Sequence, residues 1–167
     1  MNFSEILVGH VRSIHDLLLR DEIEHAFMGG IAVNVWTIPV PTYDVDVALG
    51  LAPDQAGHVL GLLEEQGYLS PGTAFPDSVG QERFPKVKVQ FFHERRLYDV
   101  DIFLAGTEYQ KSALARRRTV EIADDLKIPV MAVEDLLLHK LVAWRPKDKE
   151  AIERLLVVQR DLDWPYL

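Results

Sequence analysis

Tyr43 to Leu49 reads Tyr-Asp-Val-Asp-Val-Ala-Leu, and this alternation constrains the fold most. Side chains two apart on a strand point to the same face, so Tyr43, Val45, Val47 and Leu49 share one face. Asp44, Asp46 and Ala48 share the other. On a strand, the Cα atoms of Asp44 and Asp46 would stand roughly 6.5–7 Å apart. Two carboxylates at that spacing repel unless a cation lies between them. A hard ion such as Mg²⁺ takes one or two protein carboxylates and completes its shell with water and phosphate oxygens. Two such ions, about 3.5–4 Å apart, can stabilise both the attacking and the leaving oxygen of a phosphoryl transfer. A solvent-exposed acidic strand face is the plain alternative.

The flanking sequence weighs against that alternative. Glu24 to Met28 reads as a short strand running into Gly29-Gly30, and Ile31 to Trp36 as a short helix. Glycines let a backbone approach a ligand, and the helix start behind them offers N–H groups to a phosphate. Pro39 and Pro41 force an extended link to the Asp-Val-Asp strand. Far along the chain stands a second acidic strand, Asp99-Val100-Asp101. Aspartate is disfavoured in strands, so four of them on two strands suggest a use. Alternation leaves Asp99 and Asp101 equivalent, since both share a face.

The rest of the chain reads as one α+β domain over residues 1–167, a mixed β-sheet with flanking helices and a C-terminal helical segment. Phe3, Leu7, Val11, Ile14 and Leu18 give a first amphipathic helix, Phe3 to Leu19. Pro53-Asp54 opens another, which stops at Gly67. Ser70 to Pro85 is rich in Pro and Gly and reads as a loop. Val87, Val89 and Phe91 alternate with Lys86, Lys88 and Gln90, and His93 to Arg96 turns this strand back into Leu97 to Leu104. A polar helix is expected over Glu108 to Arg117. Short strands, Thr119 to Ile122 and Pro129 to Ala132, flank Asp124-Asp125. A last long helix begins near Val133, with Glu134 and Asp135 at its positive end and a break at Pro146.

Composition narrows the function. The chain has a net charge of −8, which disfavours bulk nucleic-acid binding, because phosphate contacts need Lys and Arg. Arg95-Arg96, Arg116 to Arg118 and Lys147/Lys149 are local basic spots that suit solvated surface. There is no cysteine, so thiolate metal sites and disulfides are excluded. No apolar run suggests a membrane span. The start of the chain does not read as a signal peptide, which makes the cytoplasm the expected compartment.

Taken together, Gly29-Gly30-Ile31-Ala32, Pro41 to Asp46 and Val100-Asp101-Ile102-Phe103 resemble the polymerase-β-like nucleotidyltransferase superfamily. Pro129, Glu134-Asp135-Leu136, His139-Lys140-Leu141 and Arg145 to Asp148 look like the helical signature of its small bacterial members, the AbiEii-type toxin-like proteins. The resemblance implies Mg²⁺-dependent transfer of a nucleotidyl group from an NTP to an acceptor hydroxyl on a protein side chain, a tRNA end or a small molecule. It implies that Asp44, Asp46 and Asp101 hold two metal ions, with Asp101 favoured over Asp99 by its spacing to Ala105-Gly106-Thr107. Gly29 and Gly30 would lie against the triphosphate, and Lys140 would reach its phosphates. Arg145, Lys147 and Asp148 would form an ion-pair network at the helix break, and His139 would have no role. A protein partner of a toxin–antitoxin or stress pair is a further implication. Val40 stands where many relatives carry arginine, which keeps open a non-catalytic interaction module on the same fold. A metal-dependent hydrolase using the same carboxylates is the remaining alternative.

Overall fold

A computed structural model describes residues 4–70, 75–79, 82–93 and 96–167. Helix α1 spans Glu5–Arg20 and starts where Ser4 Oγ accepts the N–H of Leu7 at 3.3 Å. It buries Leu7, Val11, Ile14, Leu17 and Leu18. The expected Phe3 start lies outside the described residues. Strand β1 (His25–Phe27) is buried throughout and feeds α2 (Gly29–Trp36), so the helix begins at the first glycine, two residues before Ile31.

Strand β2 is Val45–Leu49, shorter than the expected Tyr43 to Leu49. Asp44 therefore sits just ahead of the ladder rather than in it. A 3-10 turn at Pro53–Gln55 leads into α3 (Ala56–Glu65), and Gly67 takes φ +87° just beyond the helix. The stretch expected as a loop is in part a hairpin. β3 (Phe75–Val79) pairs antiparallel with β4 (Glu82–His93), and residues 71–74 and 80–81 lie outside the described residues. Pro76 and Pro85 are partners in that pair. β3 is the sheet edge, and Pro85 precedes the first β4–β5 pair at Lys86, so neither proline breaks a central ladder.

β5 (Arg96–Leu104) returns antiparallel to β4, with His93 opposite Arg96; the rest of that turn, 94–95, lies outside the described residues. α4 (Glu108–Ala115) carries a capping box. Thr107 Oγ1 accepts the N–H of Gln110 at 3.2 Å, and Gln110 Oε1 accepts that of Thr107 at 2.9 Å. β6 (Arg118–Ala123) and β7 (Leu126–Val130) form a hairpin over Asp124 and Asp125, so β7 lies earlier than the expected Pro129 to Ala132. The last helix is two: α5 (Val133–Ala143) and α6 (Pro146–Val158). Trp144 takes the left-handed conformation between them, and Pro146 occupies the first turn of α6, where its missing N–H costs nothing.

Among the described residues, seven strands make one mixed sheet in the order β3-β4-β5-β2-β1-β7-β6. β2 and β5 are parallel, as are β1 and β7; β1–β2, β3–β4, β4–β5 and β6–β7 are antiparallel. Val45, Val47, Val100, Ile102, Phe27 and Val130 fill the core at its centre. α2 packs on β2 and against α5 and α6, which sets the helical wall opposite the acidic strand ends. Among the described residues, no helix is long and apolar enough to cross a membrane.

Candidate active site

The parallel register puts Asp46 of β2 and Asp101 of β5 opposite each other as Cα partners. Like charges in that position destabilise a sheet. The cost shows on Asp46, whose pKa is raised, first by burial and then by the neighbouring Asp101. Lys140 and Lys147 oppose the rise, and Asp44 adds to it.

The turn into α2 closes over this pair. Gly29 takes φ +57°, and a β-carbon there would lie 1.8 Å from Asp46 Oδ2. A β-carbon on Gly30 would lie 2.4 Å from Thr42 Oγ1. Gly29 is thus required by close approach, at Gly30 the Thr42 hydroxyl would have to turn away, and Met28 N–H ties the turn to Asp46 O at 2.8 Å. Among the described residues no side chain caps α2, which leaves its first-turn N–H groups to an anion.

These elements line a cavity of about 380 Å³ between the sheet and α2, α5 and α6. Asp44, Asp46, Asp101, Gly29, Gly30 and Lys140 all line it, whereas Asp99 does not. Asp44 is exposed at its mouth. Asp99 is engaged elsewhere, accepting from Lys88 Nζ at 2.5 Å and Gln90 Nε2 at 2.7 Å. Burial works against the Asp99 charge, but these two donors outweigh it and its pKa is lowered.

Lys140 is 13% exposed and gives its ammonium to Asp148 Oδ1 at 3.0 Å. Arg145 grips the same carboxylate, Nε to Oδ2 at 2.6 Å, and its backbone N–H adds a bond at 3.1 Å. Asp148 is fully buried. Burial alone would raise its pKa, yet Arg145 and Lys140 hold it below the usual range. The Arg145–Asp148 pair expected at the helix break is present, and its second cation is Lys140 where Lys147 was expected. Burial lowers the pKa of His139, which lines the cavity beside Lys140.

Three cavity residues escaped the sequence reading. Lys86 Nζ lies 3.0 Å from Asp101 Oδ2. Asn34 clamps the backbone of Val40, donating to its carbonyl at 2.7 Å and accepting its N–H at 3.0 Å. Arg154 of α6 holds Thr37 Oγ1 at 2.8 Å and Ile38 O at 2.5 Å. The turn at His93–Arg96 already places Lys88 opposite Asp101. That pairing was a sequence signal for lysines beside the acids; the other two contacts had none.

Among the described residues, no three His, Asp or Glu side chains form a ready-made metal cage. Magnesium seldom needs one: it binds through one or two carboxylates together with substrate phosphates. Asp46 and Asp101 provide two. Among the described residues, Asp101 Oδ1 is buried without a hydrogen-bond partner, Lys88 Nζ standing 3.5 Å away. The residues fit a hard cation shared with a phosphate ligand.

Solved structures place this architecture. The chain is similar to a lincosamide antibiotic adenylyltransferase, LnuA, solved with lincomycin: 18% identity, TM-score 0.59, covering 95% of this chain and 100% of that one. The fold is a nucleotidyltransferase fold. A candidate nucleotidyltransferase from Thermotoga maritima shares the nucleotidyltransferase fold at 15% identity and TM-score 0.61, covering 95% and 97%. So does ANT(2'')-Ia, solved with adenylyl-2''-tobramycin, at 12% identity and TM-score 0.57, covering 91% and 88%. No family model matches the chain, and no curated protein matches it.

Proposed function

We propose that the protein transfers a nucleoside monophosphate from an NTP to a hydroxyl of a small-molecule acceptor, with Mg²⁺ as cofactor. The observation that carries this reading is the Asp46–Asp101 pair in one cavity with the uncapped start of α2. Lysine and arginine side chains line the same space: Lys140, Arg145, Lys147 and Arg154 stand on its helical wall. A cavity that mixes carboxylates with basic groups suits a polyphosphate carrying divalent ions.

Asp46 and Asp101 would hold the metal, with Asp44 at the mouth as a further carboxylate. When bound, the ion supplies positive charge to the oxygens where negative charge develops. The N–H groups of Gly29 and Gly30 would bind the triphosphate, positioned by the turn that Asp46 abuts. Asp101 would take the proton of the acceptor hydroxyl. The hydroxyl oxygen would bond to the α-phosphorus as its bond to the bridging oxygen breaks, and pyrophosphate would leave. Lys147, exposed at the cavity, would meet the phosphates. Val40 supplies no charge, but Lys147 and Arg154 line the same cavity, and the Asp46–Asp101 pair within it supports catalysis over a binding module on the same fold.

A small-molecule acceptor is favoured because LnuA and ANT(2'')-Ia carry antibiotics in their solved structures. The test is incubation with each α-labelled NTP, Mg²⁺ and a cell extract split into small-molecule, RNA and protein fractions. Label should move to the small-molecule fraction and vanish with Asp46→Asn/Asp101→Asn. Label on protein would instead favour the toxin-like reading, and free NMP alone a hydrolase. Transfer that survived the double substitution would overturn the assignment of the carboxylates.

A further inference from the structure

Two lysines and two aspartates alternate on neighbouring strands β4 and β5, and their pairing is offset. The residue directly opposite Asp101 is Lys88, while Lys86 stands opposite Phe103. Yet Lys86 takes Asp101, with Nζ 3.0 Å from Oδ2. Lys88 turns to Asp99 at 2.5 Å and stays 3.5 Å from Asp101 Oδ1. The diagonal reach carries the Lys86 ammonium into the cavity, which Lys86 and Asp101 both line. Its side chain is 16% exposed, and Nζ lies 5.7 Å from the centre of the Phe103 ring.

A largely buried ammonium persists only beside an anion. This one sits on the carboxylate that faces Asp46, where a cation relieves the repulsion between two neighbouring acids. We propose that Lys86 is the built-in counter-cation of the Asp46–Asp101 pair, and that a divalent ion entering the site must displace it from Asp101. The inference rests on the reading of these carboxylates as metal ligands. Its consequence is a raised threshold: metal alone binds weakly, because an ammonium already satisfies part of the charge it would meet. An ion that arrives with a nucleotide brings phosphate charge that can take over the lysine.

The test is titration of the nucleotide-free protein with Mn²⁺, followed by calorimetry. Removing a unit charge a few ångströms from the ion should tighten binding about tenfold in Lys86→Met. Lys86→Arg should bind as the wild type does. Lys88→Met should tighten binding less than Lys86→Met, since Lys88 is spent mainly on Asp99. Lys86→Gln keeps a donor to Asp101 without the charge, and should tighten binding likewise if the Met variant does not fold. Wild-type binding with no tightening in the uncharged Lys86 variants would overturn the role of Lys86 and leave the metal site standing. So would equal tightening by Lys88→Met, which would point to a diffuse field. Absence of Mn²⁺ binding in every variant would overturn both.

Discussion

Gly29 and Asp46 occupy space that a single β-carbon would fill: at position 29 that carbon would stand 1.8 Å from Asp46 Oδ2. The contact joins the two parts of the candidate site, the helix start and the acidic strand. Gly29→Ala would also hold a β-carbon at φ +57°, which L-residues disfavour. The variant should lose about 2 kcal/mol in urea unfolding. It should also weaken Mn²⁺ binding, because Asp46 must move.

Asp46 places a function at odds with stability. Burial and Asp101 raise its pKa, so the folded protein disfavours a charge that the unfolded chain carries near neutral pH. That cost is fully present above the raised folded pKa and shrinks as pH falls through it. Asp46→Asn removes it. Urea unfolding at about pH 7 should show a more stable protein, while Mn²⁺ titration should show binding weakened about tenfold or more.

Asp148 joins α5 to α6 through Lys140 and Arg145. Asp148→Ala leaves Lys140, 13% exposed, without its carboxylate. Breaking a buried pair from one side costs about 3 kcal/mol. Urea unfolding should show a loss of that order. In the wild type the Asp148 pKa is depressed, so its contribution is present above the ordinary carboxylate range and is lost as pH falls through the folded value.

His25 sets a second pH dependence. It is 3% exposed, donates Nδ1–H to Ile23 O at 2.8 Å, and pairs Nε2 with His15 Nδ1 at 2.8 Å. Burial lowers its pKa from 6.5 to about 4, with His15 and Arg117 adding to the drop and the Ile23 bond opposing it. Below 6.5 the unfolded chain takes a proton that the folded chain refuses until about 4, so stability falls with pH across that window. The loss from this residue should reach roughly 2 kcal/mol near pH 5. Unfolding in urea at about pH 7.5 and pH 5 measures it, and His25→Gln should flatten the slope in part. His10, also lowered to about 4, and His15 and His139, both lowered by burial, keep the remainder.

Local chemistry made much of the chain legible. Leu7, Val11, Ile14 and Leu18 keep the helical period of α1, and Gly67 marks the end of α3, because each signal acts within a few residues. Ser70 to Pro85 misled: Pro and Gly suggest a loop wherever strand neighbours are unknown, and only the sheet order shows β3 to be an edge that tolerates Pro76. Asp44 was expected inside a strand, but the ladder begins at Val45.

The sequence by itself determined that Asp46 would stand on a strand behind a Gly-Gly turn and that Asp99 and Asp101 would share a strand face, since alternation and glycine geometry are local. It could not rank Asp99 against Asp101, because residues two apart point the same way. Tertiary structure decided that Asp101 stands beside Asp46 while Asp99 is spent on Lys88 and Gln90. It also brought Lys86 onto Asp101 and buried Asp148 between Lys140 and Arg145. The reason is register: which residues meet across a sheet or between helices depends on how distant segments slide against each other, and no single segment carries that information.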